Sequence, residues 1–74
     1  MRYFIPAGTQ VDRQTRAGVW EDGPIPTERD VAFDEGDVLD RSTSYIIFQL
    51  SDKCKHWDML EVEIDLVHIH PDPI

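Results

Sequence analysis

The side chains of this chain with the greatest chemical reach are its carboxylates. Glu61, Glu63 and Asp65 alternate with Leu60, Val62 and Ile64. In an extended strand they project from one side at steps of roughly 6.5–7 Å, twice the rise per residue. A second group, Asp34, Glu35, Asp37 and Asp40, crowds a segment that reads as a loop or short hairpin. Like charges at such separations repel, which costs stability unless a cation or a partner compensates. A row of carboxylates can imitate a phosphate backbone and occupy the basic channel of a nucleic-acid-binding protein. The plainer alternative is a solubilising surface. Trp20 and Trp57 are the largest side chains, and core use is the default for each in so small a chain. Trp57, followed by Asp58, is expected partly exposed on the face opposite Leu60 and Val62, where it would anchor an interface beside the carboxylates.

The inventory for catalysis is thin. None of Thr9, Ser42, Thr43, Ser44 and Ser51 sits in a nucleophile-elbow pattern, and the glycines are scattered singly as in turns, with no phosphate-binding loop. Cys54 and His56 lie two residues apart beside an expected turn, with no third group to orient them. His68 and His70 share a face of an extended strand and Asp72 follows, but a tight metal site needs three or four converging ligands. The expectation is that both histidines face solvent while Ile69 faces the core. Asp34-Glu35-Gly36-Asp37 lacks the twelve-residue spacing of an EF-hand loop. The chain is therefore expected to be no enzyme and to need no metal or cofactor.

Length and charge narrow the classes further. Seventy-four residues hold one domain, residues 1–74, with a thin core. The lone Cys54 excludes an internal disulfide and favours a reducing, cytoplasmic setting. No apolar run is long enough to span a bilayer. Fifteen carboxylates against seven Lys and Arg give a net charge of −8, which argues against direct contact with nucleic acid or an anionic membrane. The acidity falls in two blocks: residues 21–40 hold eight carboxylates against Arg29 alone, and residues 57–74 hold five with no Lys or Arg.

Positioning these groups requires a β framework. Arg2 to Ile5 reads as a first strand closed by Pro6, with Thr9 to Val11 continuing it after a bend. Asp12 to Arg16 is polar enough for a loop, and Gly18 to Trp20 reads as a second short strand. The glycine and prolines of Glu21 to Pro26 argue against regular structure. Thr27 to Asp30 matches a capping box loosely, but a strand with Val31 and Phe33 on one face is favoured over a helix. Ile46, Phe48 and Leu50 on one side, and Leu60, Val62 and Ile64 on the other, predict a β-hairpin around a polar turn at Ser51 to Lys55. At Leu66-Val67 the alternation slips, which demands a bulge, kink or helical turn before a last strand, Val67 to His70.

The expected fold is mostly β: a small SH3-like barrel, or a strongly bent antiparallel sheet, of about five short strands with at most one short helical turn. Glu63-Ile64-Asp65-Leu66-Val67-His68-Ile69 resembles the one-turn 3₁₀ segment and last strand of SH3-like barrels, and Ile5-Pro6-Ala7-Gly8-Thr9 resembles their opening. That resemblance implies a fold and carries no function. In size, acidity and lack of catalytic motifs the chain is similar in character to small phage-encoded inhibitors of bacterial defence, such as anti-CRISPR proteins and DNA mimics. That likeness implies inhibition of a basic, nucleic-acid-handling protein in the host cytoplasm. The expected contact residues are Asp34, Glu35, Asp37, Asp40, Trp57, Asp58, Glu61, Glu63 and Asp65. The rival expectation is a structural or adaptor module that binds through apolar and aromatic residues. An uncovered edge, or Trp57, offers a route to a homodimer.

Overall fold

A computed structural model describes residues 1–25, 28–50 and 56–70. The chain is mostly β, with strands β1 (Arg2–Ile5), β2 (Gln10–Thr15), β3 (Trp20–Pro24), β4 (Val31–Asp34), β5 (Val38–Arg41), β6 (Tyr45–Gln49), β7 (Trp57–Glu63) and β8 (His68–His70). Single 3₁₀ turns, Glu35–Asp37 and Ile64–Leu66, precede β5 and β8. All pairings are antiparallel, in a three-stranded sheet of order β4-β1-β8 and a five-stranded sheet of order β3-β2-β7-β6-β5. Among the described residues the ladders form two sheets and not one closed barrel. The mostly β class stands; among the described residues there are eight strands and two 3₁₀ turns, against the expected about five strands and at most one turn, because several short strands lie in polar segments.

The alternation read in the second half places the core. Ile46, Phe48, Leu50, Leu60 and Val62 are buried on the inner face of the β6-β7 hairpin. Tyr3 and Ile5 of β1, and Val31 and Phe33 of β4, fill the facing side. The layers meet through aromatic rings: Phe33 stacks on Phe48 at 4.3 Å, and Tyr3 meets Phe48 edge-on at 5.4 Å. The slip at Leu66-Val67 is the 3₁₀ turn Ile64–Leu66, which restores Val67 to the core.

The first half departs from its reading. Asp12 to Thr15 is the body of β2, not a loop, and β2 belongs to the other sheet and does not continue β1. Trp20–Pro24 is a strand despite Gly23 and Pro24. It lies at a sheet edge, where a proline without a donor is tolerated. The expected strand Gly18 to Trp20 instead begins at Trp20, because Gly18 sits at φ 86° in the tight β2-β3 turn, its N–H donating to the Thr15 carbonyl at 2.9 Å. Such a φ is cheap only for glycine. Ile69 is 43% exposed, because among the described residues β8 is an edge strand of its sheet. Thr27, the polar turn Ser51 to Lys55 with Cys54, and Asp72 lie outside the described residues.

Candidate functional site

The first acidic group is engaged within the fold. Asp34 pairs with Arg2 at 3.4 Å, and Asp37 Oδ2 accepts the Asp34 backbone N–H at 3.0 Å, fixing the 3₁₀ turn. Glu35 accepts the Tyr3 hydroxyl and pairs with Arg41 at 3.3 Å, and Arg41 also donates to the Tyr3 oxygen. The Tyr3 hydrogen bond, followed by Arg41, holds the Glu35 carboxyl below its usual range. Burial, followed by the bond to Glu35, pushes the Tyr3 hydroxyl up. These three side chains tie β1, the 3₁₀ turn and β5 together. Their geometry is that of a clasp.

Trp57 also departs from expectation. The β2-β7 register runs Arg13 to Leu60 and Gln14 to Met59, then shifts so that Thr15 faces Trp57. The extra residue on β7 is Asp58, and one inserted residue reverses the phase of everything beyond it. Trp57 therefore packs against the core, on the same side as Leu60 and not opposite it. The Arg13 guanidinium lies 4.2 Å over its ring and donates to the Pro24 carbonyl at 3.0 Å. Gly23 leaves room for this arrangement, since a Cβ there would fall 2.5 Å from Arg13 Nη2. Asp58 approaches Arg16 at 3.8 Å.

The remaining acids converge with residues that the sequence reading passed over. On the outer face of the five-stranded sheet the register places Asp22 opposite Asp12, Asp12 opposite Glu61, Glu61 opposite Ile47, and Ile47 opposite Asp40. Directly opposed residues share a face, so this is one band across five strands with neighbours about 4.8 Å apart. Glu63 follows Glu61 on the same face of β7. Asp65, in the 3₁₀ turn, borders with Glu61 and Glu63 a shallow recess completed by Thr43, Ser44, Tyr45 and Ile64. A second recess, bounded by Asp12, Trp20, Glu21, Asp22 and Glu61, sits at the other end. No ion pair among the described residues involves Asp12, Asp22 or Glu61.

Beside the acid band runs a second row, Trp20, Gln14, Met59 and Gln49, set by the same registers. Trp20 is 42% exposed. The exposed tryptophan of the surface is thus Trp20 and not Trp57. Among the nominated residues, Asp40, Glu61, Glu63 and Asp65 belong to this side of the molecule, whereas Asp34, Glu35, Asp37, Trp57 and Asp58 do not. Asp12 and Asp22 escape the sequence reading because their segments are too polar or too rich in Gly and Pro to read as strands, and Trp20 because its size makes core use the default. The overlooked signal was the alternation of Asp12 and Gln14 with Val11 and Arg13, whose long apolar stem can serve as an inward-facing residue.

Chemically, the face is a spread of negative charge with an aromatic at one end. Among the described residues no group of three His, Cys, Asp or Glu side chains converges as a metal site, and no helix is long and apolar enough to cross a membrane. His56 and His68 are exposed. In comparisons with known proteins the chain matches no family model, no curated protein and no solved structure.

Proposed function

We propose that this chain is a non-enzymatic acidic binding protein that inhibits or regulates a basic, nucleic-acid-handling protein, in the manner of small phage-encoded inhibitors of bacterial defence. The observation that carries the proposal is the band Asp22, Asp12, Glu61 and Asp40 across the outer sheet face. Asp12 has a carboxylate directly opposite on each side, an arrangement that destabilises a sheet and gains most when a cationic surface covers it.

The adaptor reading draws on the same face through Trp20 and Met59. Charge density gives that contribution weight. Duplex DNA carries one charge per roughly 1.7 Å of axis, whereas the band offers at most one carboxylate per roughly 4.8 Å. The carboxylates steer and orient, and the adjoining Trp20 row supplies apolar contact area.

Affinity capture from a host lysate, followed by mass spectrometry and a salt titration of the recovered complex, tests the proposal. The expected partner is basic, and its complex weakens steeply between about 50 and about 500 mM salt as the Debye length contracts. Binding that is indifferent to salt over that range would leave the adaptor reading in possession.

A further inference from the structure

The outer face of the five-stranded sheet is banded across its strands and not along them. Trp20, Gln14, Met59 and Gln49 occupy one row, and Asp22, Asp12, Glu61 and Ile47 the next. None of these side chains is buried, although the opposite face of the same strands carries Val11, Phe48, Leu60 and Val62 in the core. Among the described residues no Lys or Arg occupies a ladder position on this face. Among the described residues the face has no covering layer.

The backbone chemistry of a partner segment decides what can lie there. An extended segment laid flat on a sheet face would lose water from its own N–H and C=O groups and find no ladder to replace it. Such a segment pairs at an edge instead, and both edges of this sheet discourage it: β3 holds Gly23 and Pro24, and β5 is irregular between Val38 and Asp40. An α-helix satisfies its backbone internally. Its side chains three and four residues apart stand about 5–6 Å apart on one stripe. The interstrand step that separates the carboxylates, about 4.8 Å, nearly matches.

We infer that the partner element seated on this face is a single basic amphipathic α-helix lying across β3, β2 and β7. Its Lys or Arg stripe rests on Asp22, Asp12 and Glu61, and the adjoining apolar stripe rests on Trp20 and Met59. The inference rests on the acidic-surface reading above and adds to it the partner's secondary structure and orientation.

Three synthetic peptides of about 16 residues, long enough for ~24 Å of helix, test it against the full chain. The first places Lys at i, i+4, i+7 and i+11 with Leu on the adjoining stripe. The second reorders the same residues so that the stripes are lost, and the third carries two central prolines. At about 20 mM salt, where screening is weak, the first peptide is expected to bind at least about tenfold more tightly than either control. Backbone amide shifts in NMR spectra should map to Asp12, Asp22, Glu61 and Trp20. Trp20→Ala, an exposed change checked by circular dichroism, should abolish the preference for the first peptide over the reordered one, and Asp12→Asn should weaken all three. Equal binding of the three peptides overturns the helix while leaving the acidic surface standing. Failure of every peptide to bind sinks both, and shifts confined to β4, β1 and β8 overturn the location.

Discussion

Two side chains at the residue scale show charge used for architecture. Glu35 is held below its usual range in the fold by the Tyr3 hydroxyl and Arg41. A depressed folded value means that its stabilisation is complete above its unfolded value and is lost as pH falls through the folded one. Glu35→Gln should therefore lower the melting temperature at neutral pH and flatten the loss of stability on acidification below 4.5, the ordinary glutamate value. Thermal melts of both proteins over a pH series check this. Arg13 is the second case, since its guanidinium covers Trp57 and reaches the Pro24 carbonyl. Arg13→Ala should cost about 1–2 kcal/mol by denaturant titration, from the lost cation–π contact and hydrogen bond. The Trp57 fluorescence should shift to the red as water reaches its ring.

The decisive features among the elements are register and bulge. The β6-β7 hairpin was legible because each strand carries its own period-two apolar pattern, and a pattern with one buried face fixes register without outside help. The β2-β3 hairpin was not. Asp12 to Thr15 contains no aliphatic residue, and its strand is imposed by pairing with β7, a neighbour more than forty positions away in the chain. That pairing brings Asp12 between Asp22 and Glu61. Asp12→Asn should therefore stabilise the fold by about 0.2–1 kcal/mol, the range for cross-strand charge pairs. The gain should be clear in melts at about 20 mM salt and should fade at about 500 mM, where screening has already relieved the repulsion. A loss of stability at low salt would mean that Asp12 has a compensating cation.

At the scale of the whole molecule, opposite outer faces differ in character. The three-stranded sheet presents Arg2 paired with Asp34, beside Phe4 and His68, whereas the five-stranded sheet presents the acid band, which makes no ion pair among the described residues. Reversing charge at Asp12 and Glu61 together, D12K with E61K, should slow association with the captured partner by at least about tenfold at low salt, acting on the on-rate more than the off-rate. The remote exposed change D34K should leave the on-rate nearly unchanged, and stopped-flow or surface-plasmon kinetics would separate the two. The sequence by itself determined the mostly β class, the β6-β7 hairpin, the break at Leu66-Val67 and the strongly negative charge, because each follows from local periodicity or composition. Only the tertiary structure decided which acids act together. Glu61 could be placed on a strand face from its neighbours in sequence, but its direct companions, Asp12 and Asp22, arrive through β2 and β3, and cross-strand distance is set by pairing that no local pattern encodes. The same holds for the tryptophans: a single bulged residue, Asp58, turns Trp57 inward beneath Arg13 and leaves Trp20, at the end of the acid band, as the exposed aromatic.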